Sequence, residues 1–145
     1  MTTALAEDRS GSRVIPQGAR RFLRIMLGLQ VALGLLWGVS MLFFARQIVL
    51  GEPYGPHIEK IAMEGAAHMM LVFGAVLVWR APHRAREVLL LMIFLNGLWT
   101  LTDLVYIPLL GLSAIDFYAK AMVNAFLAIG LALSGRRAGI FSQRY

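Results

Sequence analysis

Charged and amide side chains interrupt three apolar stretches of this sequence at helical spacing. Glu64 and His68 lie four residues apart in one stretch, and residues with this spacing share one face of an α-helix. An ionisable group inside an apolar span costs about 2.5–3.5 kcal/mol on insertion scales, so each such group marks a candidate site. Seven residues form this candidate network: Glu64, His68, Asn96, Thr100, Asp103, Lys120 and Asn124.

The depth of these residues predicts an ion pair. If the stretches are helices that run in alternating directions, a rise of about 1.5 Å per residue places Glu64, Asp103 and Lys120 at one level, roughly 5–10 Å below the outer boundary. An ionisable residue at that depth requires a partner, so we expect Lys120 to pair with Asp103 or Glu64. The deeper residues are His68, Thr100 and Asn124 near the middle and Asn96 beyond them.

Two interpretations of this network are open. Polar contacts between membrane helices hold a bundle together and set its register, and breaking one leaves an unsatisfied buried group. Alternatively, the same side chains line a cavity that opens to the outer side and binds a small polar or amphiphilic molecule. A structural network has its polar faces in direct contact, whereas a binding site surrounds a pocket on the order of hundreds of Å³.

Catalytic chemistry has little support in the sequence. Glu64 and His68 would suit an acid–base pair, but no activated nucleophile accompanies them and their spacing is not that of a zinc-binding HExxH motif. The sequence therefore favours a non-enzymatic protein without a catalytic residue, a metal or a cofactor. A remote alternative is a single-histidine porphyrin or chlorin on His68, beside the small residues 65–67. The sequence argues against haem with two histidines, because His57 and His83 lie in connections on opposite sides of the membrane.

Four apolar stretches must position these residues. The chain has 145 residues, of which 59% are apolar and 15% charged, whereas a soluble domain has about 45–50% and about 25%. An α-helix needs about 20 residues to cross a bilayer. The composition therefore predicts an all-α, up-down bundle of four transmembrane helices over residues 25–135, between tails at 1–24 and 136–145. The predicted spans are 25–45, 61–79, 88–107 and 114–133, the last preceded by Ser113, whose spacing to Asp116 resembles a capping box.

Basic residues alternate between the two sides of this arrangement. The net charge is +6, and the chain has no cysteine, so thiolate sites and disulfides are excluded. Eleven of the 14 basic residues fall in the two tails and the middle connection, which predicts that both termini are cytoplasmic. This distribution explains the basic charge without nucleic acid as a partner. The eleven are Arg9, Arg13, Arg20, Arg21, Arg24, Arg80, Arg84, Arg86, Arg136, Arg137 and Arg144.

Small residues predict where the helices approach one another. Membrane helices associate through close packing, for which glycine and alanine leave room. Gly34 and Gly38 form a GxxxG pair in the first span, and the fourth span carries an alanine stripe. The spacing does not determine whether the neighbour belongs to the same chain or to another subunit. The stripe consists of Ala121, Ala125, Ala128 and Ala132.

The layout resembles the small bacterial four-helix membrane proteins of the DoxX-like group. The resemblance covers residues from about 20 to 135 and depends on a long uncharged first span, a turn-rich outer connection, a second helix that opens with an acidic residue and a basic inner connection. These features are Gly51-Glu52-Pro53-Tyr54-Gly55-Pro56, His57-Ile58-Glu59 and Arg80-Ala81-Pro82-His83-Arg84. The resemblance implies a bacterial inner membrane and an auxiliary role, and it transfers no catalytic residue.

Two functions follow from these patterns. The first is a non-catalytic accessory or assembly subunit of a larger redox, photosynthetic or transport complex, with other subunits or a second copy as partners in the bilayer. The alternative is a binding module for a quinone-, lipid- or sterol-like molecule, held by the polar network in an outward-facing pocket. In that case the first helix, which contributes few polar groups, would border the opening to the lipid.

Overall fold

The computed structural model describes residues 15–44, 58–106, 109 and 115–142, and these residues form a bundle of four long helices. A π-helical turn extends the third helix, and a 3₁₀ turn follows the fourth. The elements are α1 (Gln17–Phe43), α2 (Ile58–Arg80), α3 (Arg86–Leu101), the π turn (Thr102–Tyr106), α4 (Ile115–Arg137) and the 3₁₀ turn (Ile140–Ser142). The all-α, four-helix prediction is confirmed.

All four helices are long and apolar enough to cross a membrane. α1 begins well before the predicted span, because the segment that contains Arg20, Arg21 and Arg24 is itself helical and arginine is a good helix former. Several expectations concern residues outside the described part of the chain: most of the N-terminal tail, the end of the first span at residue 45, the outer connection, the cap at Ser113 and residues 143–145.

The fourth helix continues beyond its predicted end near Leu133. Ser134 stays helical while its hydroxyl donates to the Leu131 carbonyl at 2.9 Å, and Gly135 packs against Phe141. The chain leaves the helix at Gly139, which has φ +70°. Glycine adopts this left-handed conformation without steric cost, so Gly139, and not the earlier Gly135, follows the end of the helix.

Consecutive helices are antiparallel neighbours. Gly34 lies against His68 and Val72, and Gly38 lies against Gly65, so residue numbers rise along α1 as they fall along α2. The first and last helices, α1 and α4, are also in contact, so the four helices form a closed bundle. One end of the bundle holds the start of α1, the end of α2, the start of α3 and the end of α4, and we call it the basic end because of its arginines. The other end is called the opposite end.

The GxxxG pair packs within the chain. A Cβ atom on Gly34 would lie 2.6 Å from Val72 Cγ2 and 3.3 Å from the His68 carbonyl oxygen. A Cβ atom on Gly38 would lie 3.2 Å from the Gly65 carbonyl oxygen. These separations bring the backbones of α1 and α2 together, and their interface is the most extensive in the bundle.

The alanine stripe of α4 is only partly enclosed. Ala121 is completely buried, whereas the other three alanines are half-buried: Ala125, Ala128 and Ala132. α4 also contacts α1 at Gly130, where an added Cβ would collide with the side chain of Met26. A glycine outside the alanine stripe therefore makes room for a side chain of α1 at this contact.

Buried apolar and buried polar residues occupy different halves of the bundle. The apolar core lies toward the basic end, where Leu27, Val78, Leu89 and Leu131 are completely buried. Five of the buried polar residues lie from the middle of the bundle toward the opposite end: Gln30, His68, Asn96, Asp103 and Asn124. Large apolar side chains such as Phe73 and Met122 cover the outside of the bundle. This outer surface is that of a bundle suited to lipid.

Candidate functional site

The seven predicted network residues lie from the middle of the bundle toward the opposite end. Two are on α2, two on α3, one in the π turn and two on α4. Because the four helices alternate in direction, residues far apart in sequence reach similar depths. Four are buried, namely His68, Asn96, Asp103 and Asn124, while Glu64, Thr100 and Lys120 are partly exposed.

Lys120 pairs with Glu64, one of the two carboxylates that its depth allows. The ammonium Nζ donates to Glu64 Oε1 and so links α4 to α2. Water or lipid reaches the pair, because the side chains of Lys120 and Glu64 are 21% and 33% exposed. Asp103 lies within electrostatic range of both charges, but its Oδ2 atom is buried without a hydrogen-bond partner among the described atoms.

The imidazole of His68 is enclosed by two indoles. The Trp99 ring lies 4.5 Å from the His68 ring, centroid to centroid, at an interplanar angle of 37°, and the Trp37 ring meets it edge to face at 5.9 Å. His68 Nε2 is 4.0 Å from Glu64 Oε1, which is too long for a hydrogen bond. No other described atom bonds to Nε2. His68 is therefore a packed residue with one unsatisfied nitrogen.

A hydrogen bond across the bundle involves a residue that the sequence analysis missed. Asn96 Nδ2 on α3 donates to Gln30 Oε1 on α1 at 3.0 Å and to the Met92 carbonyl at 2.8 Å. Gln30 is only 2% exposed. A signal for it exists in the sequence, since Gln30 precedes Gly34 and Gly38 by four and eight residues and shares their helix face.

The π turn that carries Asp103 begins where two threonines bond back to the helix. Thr100 Oγ1 donates to the Asn96 carbonyl at 2.8 Å, and Thr102 Oγ1 donates to the Leu98 carbonyl at 3.0 Å. A hydroxyl that donates to a backbone carbonyl competes with the backbone N–H that would otherwise donate to the same oxygen in a regular α-helix. Single π turns often occur at functional sites, and this one places the Asp103 carboxyl inside the bundle.

A small internal cavity lies beside the buried amides. Its walls include Gln30, Gly34, Trp37, His68 and Asn124, and its volume is about 10 Å³. That volume is close to the minimum for one water molecule. His68 Nε2 and Asn124 Nδ2 both lack hydrogen-bond partners among the described atoms, so a water here would satisfy two groups at once. A porphyrin would not fit beside His68 without movement of the flanking indoles.

A much larger open groove of about 550 Å³ separates α1 from α4 near the opposite end. Its walls are mainly apolar, with Lys120 and Ser40 as the polar contributors. Lys120 Nζ lies 5.9 Å from the centroid of the Trp37 ring. Trp37 and Val123 line both the groove and the internal cavity, so the groove is separated from His68 by these two side chains. The groove is lined by Leu36, Trp37, Ser40, Met41, Ala119, Lys120 and Val123.

The site combines a sealed polar interior with an open groove. Within the described residues there is no cluster of three histidine or acidic side chains that would hold a metal ion. The groove is within the volume range of small-molecule sites, and of the seven network residues Lys120 alone is in its described lining. This chemistry suits binding of a molecule with an apolar body and a hydrogen-bonding head.

Comparison of the whole chain with protein families, with curated proteins and with solved structures found no match. The site must therefore be interpreted from its own geometry.

Proposed function

We propose that this chain is a four-span membrane protein whose α1/α4 groove binds a neutral amphiphile of the quinone class. The observation that carries the proposal is the groove itself: about 550 Å³ of mainly apolar space with Lys120 at its wall. A ring with carbonyl oxygens would lie beside Trp37 and accept a hydrogen bond from Lys120, while its apolar tail follows Leu36 and Met41.

Charge balance favours a neutral head over a phosphate. Glu64 already compensates the positive charge of Lys120. The described lining of the groove contains no second basic residue. An anionic head would therefore meet a pair with no net charge, whereas a carbonyl needs only a donor, and an ammonium has three hydrogens to donate. Ser40 already donates to the Leu36 carbonyl at 2.6 Å, so its oxygen remains an acceptor.

The proposal also includes the orientation of the chain in the membrane. We place the basic end on the cytoplasmic side and the groove in the outer half of a bacterial inner membrane, on the basis of the charge distribution and the resemblance described above. Reporter fusions after Tyr145 and at Pro53 test this. We expect a cytoplasmic signal from Tyr145 and an external one from Pro53, and the reverse would overturn the orientation.

An accessory role in a larger complex has less support. The sequence left open whether Gly34, Gly38 and the alanine stripe pack against the same chain or against another subunit. The two glycines pack against α2 of the same chain, and Ala121 is buried within it. Assembly with other subunits stays a prediction, which native mass measurement after gentle detergent extraction would test.

Binding can be measured by quenching of tryptophan fluorescence with a decyl-substituted benzoquinone, since Trp37 lines the groove. We expect saturable quenching of the full chain in mild detergent. Ala119→Phe places a ring in the groove while leaving both residues of the ion pair unsubstituted, and it should abolish the saturable component. The matched control is Ala66→Phe, on an exposed position of α2 outside the groove lining, which should bind like the wild type.

The hydrogen-bond donor is tested separately. Lys120→Met combined with Glu64→Gln removes the donor without leaving an unpaired charge, and it should weaken quinone binding about tenfold, as expected for a bond from a charged group. Lys60→Met, at an exposed lysine outside the groove lining, serves as the control. Equal quenching of wild type and Ala119→Phe would contradict the groove as the site. Stronger competition by a sterol or by phosphatidylcholine would contradict the quinone class.

A further inference from the structure

A second groove lies at the basic end, between the start of α1 and the end of α2. Its volume is about 460 Å³. Three of its lining residues are arginines, and the described lining contains no carboxylate. The lining consists of Gln17, Arg20, Arg21, Arg24, Ile25 and Trp79.

The spacing of the polar residues explains why they converge. Gln17, the adjacent pair Arg20 and Arg21, and Arg24 follow the i, i+3, i+4, i+7 pattern, which is one face of an α-helix. The positive-inside tendency explains the side on which arginines accumulate. The positive-inside tendency does not require three arginines to line one groove together with a tryptophan from another helix.

Trp79 fixes one of the arginines. The Arg24 guanidinium carbon lies 5.5 Å from the centroid of the Trp79 ring, a cation–π contact between α1 and α2. This contact holds the guanidinium over the indole at the wall of the groove. A guanidinium presents a planar set of donors that matches two phosphate oxygens at once.

The apolar part of the lining distinguishes a lipid from a free phosphate. Ile25 and Trp79 are 51% and 44% exposed, and they continue the groove from the arginines toward the middle of the bundle. A phosphate ion would use only the arginines. A phospholipid would place its phosphodiester among the guanidiniums and the start of its acyl chain along Ile25 and Trp79.

We infer that this groove, which we call the arginine groove, is a binding site for the headgroup of an anionic phospholipid in the cytoplasmic leaflet. Basic pockets between membrane helices on that side are suited to anionic headgroups. The inference depends on the membrane orientation proposed above and is independent of the quinone site. Of the acidic residues whose side chains the structure describes, only Glu87 lies at the basic end, and it does not line the groove.

The test compares phosphatidylglycerol with phosphatidylcholine. The full chain in nanodiscs of equal parts of the two lipids is released into the mass spectrometer, and the lipids that remain bound are counted. We expect phosphatidylglycerol to be retained about tenfold over phosphatidylcholine. Arg20→Gln, Arg21→Gln and Arg24→Gln together should remove this preference.

The matched control changes three exposed arginines at the same end that do not line the groove: Arg80→Gln, Arg84→Gln and Arg136→Gln. This control should keep the preference within about twofold, because only its diffuse surface charge differs. An equal loss in the control would overturn the site in favour of general surface charge. Equal retention of both lipids by the wild type would also overturn it.

Two further measurements keep the result decisive. If circular dichroism shows that the triple variant does not fold, the single variant Arg24→Lys replaces it. This variant keeps the charge but loses the two-pronged donor geometry, and it should lower the preference for phosphatidylglycerol about threefold. Displacement of phosphatidylglycerol by millimolar inorganic phosphate would show a free-anion site and overturn the lipid. Quinone quenching by the triple variant should equal that of the wild type, so failure of one site leaves the other measurable.

Discussion

The two halves of this bundle are held together in different ways. Toward the basic end, leucines, valines and alanines from all four helices enclose one another, and α4 approaches α1 closely at Gly130. Toward the opposite end, the helices are linked by the Gln30–Asn96 hydrogen bond and the Lys120–Glu64 pair, with a groove between α1 and α4.

This difference separates a half whose interior is closely packed with apolar side chains from a half whose interior is linked by polar groups. The arginine groove of the basic half lies on its surface, outside this packed core. Among the described residues, the opposite half retains four buried polar atoms without hydrogen-bond partners, namely His68 Nε2, Asn96 Oδ1, Asp103 Oδ2 and Asn124 Nδ2, and the connection at the basic end retains His83 Nδ1. Unsatisfied buried groups are costly, and His68 and Asn124 border the small internal cavity, where one water would satisfy both. Four substitutions test this comparison, in order of expected effect on stability.

Leu131→Ala tests packing in the basic half. Leu131 is completely buried, and its truncation should lower the free energy of unfolding by about 2–4 kcal/mol through loss of contacts and the cavity it leaves. Leu133→Ala on the same helix removes the same atoms from a side chain that is 45% exposed, and it should change stability by less than about 0.5 kcal/mol. Reversible titration with a denaturing detergent measures both. Equal losses would mean that the core is not packed as described.

Asn96→Leu tests the hydrogen bond at the boundary between the halves. It leaves Gln30 buried without its donor, and we expect a loss of about 1.5 kcal/mol. Gln30→Leu should cost a similar amount. The double variant should cost less than the sum of the two, because no unsatisfied partner then remains. Strict additivity in the same titration would argue against the bond.

Lys120→Met tests the ion pair of the opposite half. The pair is partly exposed, so we expect a loss of about 1 kcal/mol, most of which Glu64→Gln in the same chain should restore. The pairing with Glu64 predicts a larger coupling energy between residues 120 and 64 than between 120 and 103, with Asp103→Asn as the comparison. A larger coupling to Asp103 would assign the pair to the other carboxylate.

Ala119→Phe should have the smallest effect on stability. The new ring enters the groove, so the free energy of unfolding should change by less than about 0.5 kcal/mol although quinone binding is lost. Gly130→Ala provides the contrast, since its Cβ would collide with Met26 in the closely packed half and should destabilise by about 1–3 kcal/mol. If the order of these two effects were reversed, the comparison of the two halves would fail.

Local patterns in the sequence predicted more of the fold than of the site. Apolar stretches of membrane length predicted four helices, and four-residue spacing predicted which polar residues share a face. Helix ends were less predictable: α1 continues through the arginines before residue 25, and α4 passes Ser134 and Gly135 to end near Gly139. The helix propensity of arginine extends α1, whereas α4 continues through two poor helix formers because Ser134 and Gly135 are buried in packing contacts, Gly135 against Phe141.

Polar residues of the site were found where they recur at helical spacing, as in Asn96, Thr100 and Asp103, and missed where they stand alone. Lys120, Glu64 and Asp103 stand out in apolar helices because of their charge. Gln30 was overlooked because a single amide in a long apolar span gives no periodic signal of its own. Trp37 lies between Gly34 and Gly38 in the sequence and carries no charge that marks it, yet it separates the groove from His68.

The sequence alone determined the number of helices, the alternation of basic and less basic connections and the set of polar residues, because composition and periodicity are local properties of the chain. Tertiary structure decided that Lys120 contacts Glu64, that Asn96 contacts Gln30, and that the space around His68 is closed while the space between α1 and α4 is open. These outcomes depend on the rotation and separation of whole helices. Both are set by the summed packing of many side chains, above all the close approach of α1 to α2 at Gly34 and Gly38 and of α1 to α4 at Gly130.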